Sequence, residues 1–126
     1  MNYVLTCHCK AVTIHVTLSE GLETARRCDC SYCSRRGAIA VSAALDGLEI
    51  VTGNDMLSLY QWGTKTAKHY FCNNRGIYTH HQRRSDPNQF GINVACLEGV
   101  DPKDLGDVRW VDGINHPCDR KQKKAL

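Results

Sequence analysis

Three cysteines within six residues place the strongest constraint on how this chain can fold. Cys28, Cys30 and Cys33 form a C-x-C-x-x-C cluster. Zinc binds thiolates about 2.3 Å away at the corners of a tetrahedron, so the backbone must curl for all three to reach one ion. We expect Asp29 and Ser31 to lie in a loop that permits this curl. The cluster fits a catalytic zinc site, which keeps one position open, and equally a structural site whose fourth ligand comes from elsewhere.

The other cysteines suggest a second metal site and two thiols of a different kind. Cys7 and Cys9 form a C-x-C pair, and Cys72 ends a predicted strand. Together these three could supply another set of thiolates on neighbouring strands. Cys96 lies in an apolar run and is predicted to be a core residue. Cys118, near the end of the sequence, is either a free surface thiol or a spare metal ligand.

Composition and close spacing favour metal binding over disulfide bonds for five of the eight cysteines, those of the C-x-C and C-x-C-x-x-C clusters. With 126 residues, 42% of them apolar and 23% charged, the chain has the size and balance of one globular domain. Its first residues lack the basic and apolar regions of a secretory signal, so we expect a cytoplasmic protein whose thiols stay reduced. No apolar run approaches about eighteen residues, so neither a membrane span nor a membrane partner is expected.

Short runs of alternating or β-branched residues predict an all-β (mainly β) fold. Residues 11–18 alternate apolar and polar side chains, as a half-buried strand does. Seven further strands are predicted, at residues 38–45, 48–52, 56–62, 67–71, 77–80, 91–96 and 107–111. Turn signals such as Asp46-Gly47 separate several of them, and residues 101–105 could form one helical turn. Many short strands with tight turns argue for antiparallel sheets in one domain.

Two pairs of adjacent polar residues are further candidates for ligand binding. His80 and His81 lie at the end of a predicted strand, where neighbouring side chains point to opposite faces, so at most one can serve a given site. Arg83 and Arg84 could pair with a carboxylate of a small anionic ligand. A solvated surface is the other interpretation of this arginine pair.

The order of these landmarks resembles the glutathione-dependent formaldehyde-activating enzyme family, also called the centromere protein V-type domain. After the C-x-C and C-x-C-x-x-C clusters, the resemblance is carried by residues 63–72 (GTKTAKHYFC), 76–84 (GIYTHHQRR), 90–94 (FGINV) and 112–117 (DGINHP). It runs over residues 3–118, which we take as one domain followed by a basic tail at 119–126.

The resemblance implies a β-tent zinc-binding fold with two zinc ions. The catalytic zinc would be bound by Cys28, Cys30 and Cys33. The structural zinc would be bound by four cysteines, namely Cys7, Cys9, Cys72 and one three residues later. The implied activity is that of S-(hydroxymethyl)glutathione synthase, a carbon–sulfur lyase that joins the glutathione thiol to formaldehyde. Glutathione would bind as a thiolate at the open position of the catalytic zinc, since zinc lowers the pKa of a bound thiol.

Two positions depart from the family's pattern. Arg75 stands where the fourth structural cysteine is expected, and its side chain remains a cation that cannot ligate zinc. Water, Cys118 or a histidine could complete the site, the site could bind zinc weakly, or the guanidinium could lie against the thiols. We expect the site to be depleted or empty. Lys10 stands where glycine usually follows the C-x-C pair and eases the turn.

Two other functions remain open beside that of an enzyme. A non-enzymatic zinc module could bind a protein or a nucleic acid through three arginine pairs, Arg26-Arg27, Arg35-Arg36 and Arg83-Arg84. A net charge of only +3 and an aromatic content of 7% do not favour nucleic acid. A redox or metal-buffering protein would use the thiols themselves. The resemblance favours the enzyme, with glutathione or a glutathione adduct as its ligand.

Overall fold

The computed structural model describes residues 2–62, 65–84 and 86–113, and in these ranges it contains ten β-strands and one α-helix. The strands are β1 (Asn2–Thr6), β2 (Thr13–Thr17), β3 (Arg26–Cys28), β4 (Ala40–Ala44), β5 (Leu48–Thr52), β6 (Leu57–Tyr60), β7 (Lys68–Cys72), β8 (Ile77–Gln82), β9 (Gln89–Asn93) and β10 (Arg109–Val111). The helix is α1 (Ser31–Arg36). The predicted all-β class is confirmed.

The strands form two sheets. Strands β1, β2 and β5 make a three-stranded antiparallel sheet. The other seven strands form a second sheet in the order β10-β3-β4-β9-β8-β7-β6. Its neighbouring strands are antiparallel except for β10 and β3, which run parallel with Val111 opposite Cys28. This parallel pair departs from the predicted antiparallel arrangement, and it brings β10 next to the C-x-C-x-x-C cluster.

The hydrophobic core lies between the two sheets. The small sheet contributes Leu5, Ile14 and Val16, and the large sheet contributes Val41 and Ile92, each at most 1% exposed. Along β2 the buried residues alternate with more exposed ones, as predicted for a half-buried strand. Burial of one such side chain contributes roughly 1.5–3 kcal/mol, so this packing holds the two sheets together.

Most of the predicted elements are present, and three were missed. Strands β1 and β3 and helix α1 have no counterpart among the predictions. Helix α1 has six residues, none of them buried, so it lacks the apolar period that identifies a helix. The predicted strand at 91–96 ends at Asn93, where a 3-10 turn begins, and the predicted turn at 101–105 is confirmed as the 3-10 turn Pro102–Leu105.

The limits of the domain at 3–118 stay a prediction. The basic tail at 119–126 lies outside the described residues. Within the described ranges, no helix combines the length and the apolar composition needed to cross a membrane.

Lys10 has a backbone conformation that glycine adopts more easily. Its φ angle is 65°, in the left-handed region, which costs an ordinary L-residue about 1–2 kcal/mol. The turn leaves little freedom, because the Lys10 N–H donates to the Cys7 carbonyl at 3.1 Å and the Cys7 N–H donates to the Val12 carbonyl at 3.3 Å. The expected preference for glycine after the C-x-C pair thus has a structural cause.

Lys10→Gly is expected to stabilise the protein by about 0.5–1 kcal/mol, because relief of the left-handed strain exceeds the added entropy of the unfolded chain. Urea unfolding would measure the gain. Lys103→Gly is the matched control: Lys103 is exposed and does not have a positive φ, so glycine there is expected to destabilise. A loss of stability in Lys10→Gly would contradict the strain.

Candidate metal centre and ligand cavity

Strand β3 and helix α1 hold the three thiols of the C-x-C-x-x-C cluster. Cys28 ends β3, Cys30 is the N-cap of α1, and Cys33 lies in the first turn. The Cys30 sulfur accepts a hydrogen bond from the Cys33 backbone N–H at 3.2 Å, so the bond that caps the helix also holds a candidate ligand. The three Sγ atoms lie within 4.8 Å of one another. Ser31 begins the helix, so its predicted place in a loop is wrong: the strand-to-helix change supplies the curl.

The cluster is arranged to hold negative charge. The pKa of Cys30 lies well below its usual range because the thiols of Cys28 and Cys33 donate hydrogen bonds to its sulfur, joined by the backbone N–H groups of Cys33 and Tyr32. The pKa of Cys33 is raised because its thiol donates to the sulfurs of Cys28 and Cys30, and the pKa of Cys28 is raised because its thiol donates to the sulfur of Cys30. Arg36 Nη2 donates to the Cys33 sulfur at 3.5 Å. A metal cation that binds to these cysteines would therefore find the Cys30 sulfur already deprotonated.

Gly113 leaves room beside the cluster that a larger residue would fill. A Cβ at this position would lie 2.4 Å from the Cys28 sulfur and 2.8 Å from the Cys30 Cβ. The close approach is held by the Asp29 N–H, which donates to the Val111 carbonyl at 3.3 Å, and by the Gly113 N–H, which donates to Asp29 Oδ1 at 2.7 Å. The three sulfurs and the space between them fit a zinc ion bound by these thiolates.

A cavity of about 320 Å³ opens beside the cluster. Its wall includes all three cysteines and five arginines, namely Arg26, Arg36, Arg83, Arg84 and Arg109. Trp62, Trp110, His69 and His81 also line it. A volume of this size lies at the lower end of the range for small-molecule sites. The candidate metal ligands are thus part of a ligand-sized cavity.

Arg36 connects the thiol cluster to His69. Its Nη1 donates to His69 Nδ1 at 3.1 Å, and its guanidinium carbon lies 3.7 Å from the centre of the Tyr78 ring. Because arginine can only donate, the neutral His69 ring accepts at Nδ1 and carries its proton on Nε2. Burial, and then the charge of Arg36, lower the pKa of His69 to about 4. At neutral pH, His69 is therefore an uncharged ring with one N–H donor.

His81 supports this arrangement from behind. The rings of His69 and His81 stack with their centres 5.1 Å apart, and His81 Nδ1 lies 2.6 Å from the Tyr78 hydroxyl. Gly91 pairs with His81, and a Cβ there would lie 2.3 Å from His81 Cε1. His80 packs against other aromatic rings. Only one of the two adjacent histidines lines the cavity, in agreement with the alternation predicted for a strand.

Cys7, Cys9 and Cys72 form a second cluster of thiols, which joins the two sheets. The Cys9 sulfur lies 3.5 Å from that of Cys7 and 3.6 Å from that of Cys72. Sulfurs bound tetrahedrally to one zinc ion lie about 3.8 Å apart, so these distances fit zinc. The backbone N–H of Ala11, followed by the Asn74 side chain, lowers the pKa of Cys9 and favours its thiolate.

The second cluster has three candidate ligands and no fourth among the described His, Cys, Asp and Glu residues. Arg75 is exposed, and the backbone N–H groups of Asn74 and Arg75 donate to the Cys72 sulfur. An exposed guanidinium does not replace a metal ion among the thiols. Cys118 lies outside the described residues. Water or a residue outside the described ranges is left to complete a zinc site.

The six predicted metal ligands lie in two clusters, but sequence reasoning missed much of the cavity. Cys96 is 8% exposed in the core, as predicted. His69 carried a sequence signal that was not used: it lies in the predicted strand at 67–71, directly before the candidate ligand Cys72. Arg109 carried no such sequence signal, because only the parallel pairing of β10 with β3 brings it to the site.

Two comparisons with known proteins agree with this arrangement. The sequence profile of the family described as glutathione-dependent formaldehyde-activating enzyme matches residues 2–109. A crystal structure of a Rhodobacter sphaeroides protein, from a structural genomics programme, is similar to this chain with 61% sequence identity and a TM-score of 0.85. The match covers 86% of this chain and 99% of the other. The chain belongs to the glutathione-dependent formaldehyde-activating enzyme family.

Proposed function

We propose that this chain catalyses carbon–sulfur bond formation between the glutathione thiol and formaldehyde or a related electrophile. With formaldehyde the product is S-(hydroxymethyl)glutathione, and the enzyme is of the carbon–sulfur lyase class. The observation that carries the proposal is that Cys28, Cys30 and Cys33 line a ligand-sized cavity. A structural zinc site is closed by four protein ligands, whereas a site that does chemistry keeps a position open to substrate.

The proposed reaction adds a thiol to a carbonyl group. Cys28, Cys30 and Cys33 would hold a zinc ion, which when bound lowers the pKa of a further thiol at its open position. The thiolate sulfur bonds to the carbonyl carbon, and the π electron pair of the C=O bond moves to oxygen. That oxygen takes up a proton in place of the one that the thiol lost. The protein's own share is to orient the two reactants and to stabilise charge on the oxygen.

His69 is the proposed donor to that oxygen. It lines the same cavity as the three thiols, and the Arg36 N–H that it accepts at Nδ1 leaves its proton on Nε2. A pKa of about 4 keeps the ring neutral above pH 5, so the donor is present in the same form through the neutral range. A fixed N–H donor stabilises a developing oxyanion without a rearrangement of solvent.

His69→Phe is expected to lower kcat about tenfold, because it removes one hydrogen bond to a charged oxygen while a ring remains stacked on His81. Zinc content and glutathione affinity should stay unchanged. Steady-state kinetics over pH 6–8 would measure the effect. His80→Phe is the control, since His80 does not line the cavity. Equal kcat values in the two variants would remove His69 from the mechanism.

Calorimetric titration of glutathione into zinc-loaded protein tests the proposed function. Saturable binding that Cys28→Ser lacks would support thiol binding at the cluster. Formation of the carbon–sulfur bond would then be followed by NMR with labelled formaldehyde, against the uncatalysed addition. Absence of binding in both proteins would exclude the thiol from the site and favour the partner-binding alternative.

The arginines argue for a small ligand rather than a protein or nucleic-acid partner. Of the three arginine pairs, Arg26, Arg36, Arg83 and Arg84 line the cavity and so do not form an outer basic surface. A cytoplasmic location is proposed on chemical grounds. The seven described cysteines are all free thiols, and the proposed chemistry needs a compartment that keeps them reduced.

A further inference from the structure

The cavity beside the thiol cluster has more positive charges in its wall than are needed to balance one bound substrate thiolate. Five arginines line it, and Asp112 is the one carboxylate in the described part of its wall. Guanidinium groups stay charged at any ordinary pH. Their crowding is visible in the strand register, in which Arg109 lies opposite Arg26. An anionic ligand would offset this repulsion.

Two of these arginines, the buried Arg83 and the partly buried Arg36, each have one buried N–H group that is not hydrogen-bonded in the described part of the chain. Arg83 is 6% exposed, and its Nη2 donates to Ser42 Oγ at 3.0 Å. Within the described part of the chain, the Nε atoms of Arg83 and Arg36 have no hydrogen-bond partner. A buried N–H of a charged group is costly to leave unpaired. Carboxylates suit this deficit, because their two oxygens accept bonds from a guanidinium fork.

The same wall offers little to an ammonium group. Asp112 already has a partner of its own, and neither glutamate nor a second aspartate lines the cavity among the described residues. The nearby arginines would repel an ammonium group through a medium of low dielectric constant. Outside the thiol cluster, charge recognition in this cavity is therefore one-sided.

We propose that the cavity recognises its thiol substrate by two or more carboxylates and does not select for an ammonium group. This inference rests on the proposed thiol chemistry and deepens it by naming the substrate class. Glutathione belongs to the class through its two carboxylates, and its ammonium group is the part that the cavity does not read. A thiol dicarboxylate without an amine fits the charge of the wall better.

Calorimetry with three small thiols on the zinc-loaded protein tests the charge preference. Mercaptosuccinate carries two carboxylates, 2-mercaptoethanol is neutral, and cysteamine carries an ammonium group. We expect mercaptosuccinate to bind at least about tenfold more tightly than 2-mercaptoethanol, and cysteamine to bind no better than 2-mercaptoethanol. Equal affinities for the three thiols, or tighter binding of cysteamine, would overturn the proposal.

Substitutions of single arginines test which residues produce the preference for carboxylates. Arg83→Gln is expected to weaken mercaptosuccinate about tenfold and to leave 2-mercaptoethanol unchanged. Arg109→Gln is a second variant at an exposed position, where a folding defect is not expected. Arg35→Gln is the control, since Arg35 is an exposed residue of α1 that donates to the Ser31 carbonyl and is not among the lining residues. The same loss in all three variants would overturn the assignment to the cavity.

Succinate separates this proposal from the proposed function. It has two carboxylates and no sulfur, so its binding does not depend on the cluster. Binding of succinate that Arg83→Gln weakens and Cys28→Ser leaves unchanged would support the carboxylate site. Suppose that succinate binds in this way but that the thiols bind equally well to the wild type and to Cys28→Ser. The carboxylate site would then stand, and only the proposed reaction at the thiol cluster would be contradicted. Succinate binding unaffected by Arg83→Gln and Arg109→Gln would overturn the carboxylate site itself.

Discussion

Cys30→Ser is expected to remove one zinc ion per chain and to lower the rate of thiol addition by about 10²-fold or more, since loss of the metal removes the orientation of the attacking sulfur. Cys30 is the cysteine of its cluster whose thiolate form is most strongly stabilised. Its sulfur accepts from the Cys33 N–H and from the thiols of Cys28 and Cys33, and its pKa is the one that is lowered. A serine hydroxyl in that place stays protonated and is a poor zinc ligand.

The measurements are metal analysis of the purified protein and the initial rate of addition, corrected for the uncatalysed reaction. Cys96→Ser is the matched control, because Cys96 is a buried cysteine of the core with its sulfur 3.5 Å from the Tyr78 carbonyl, and it belongs to neither cluster. It should keep its zinc. Full zinc content together with full activity in Cys30→Ser would end the proposed mechanism.

Arg75→Cys is expected to add a second zinc ion per chain and to raise the melting temperature by about 10 °C. The variant supplies a fourth thiolate beside Cys7, Cys9 and Cys72, whose sulfurs already lie at zinc-like separations. Zinc present at about 100 times its dissociation constant stabilises the folded state by about 2.7 kcal/mol, which corresponds to several degrees per kcal/mol in a domain of this size. The exposed position of Arg75 means that no core packing is lost.

Calorimetric melting with and without a chelator would separate the zinc effect from other effects of the substitution. Arg75→Ser is the control, because it removes the same guanidinium without adding a thiolate, and its zinc content and melting temperature should match the wild type. An unchanged zinc content and melting temperature in Arg75→Cys would show that the second cluster is already completed by another ligand.

The thiols of the site could be read from the sequence because their spacing is local. Cys28, Cys30 and Cys33 sit within six residues, and zinc chemistry alone groups them. The β-strands followed from alternation, which is also a local property. Helix α1 was not predicted because its N-cap is a cysteine side chain, and cysteine is not a residue type that normally indicates the start of a helix.

The cavity could not be predicted because its wall is assembled from distant segments. Arg26 and Arg109 meet through the register of a parallel strand pair, in which Arg109 lies opposite Arg26. The role of Gly113 depends on the same pair, since its backbone reaches the thiols only after β10 has docked on β3. No local pattern records which strand becomes the neighbour of another, and three-residue strands carry almost no periodicity of their own.

The two thiol clusters differ in how much chain they tie together. Cys28 and Cys33 belong to one short segment, so a cross-link among them closes a loop that was nearly closed already. Cys9 and Cys72 are 63 residues apart and join the small sheet to the large one. By the usual chain-entropy estimate, a cross-link over such a loop restricts the unfolded chain by about 4 kcal/mol, against about 2 kcal/mol for a loop of six. The cluster best placed to hold the two sheets together is therefore the one that has no fourth ligand among the described residues, so the packing between the sheets matters most for resistance to unfolding.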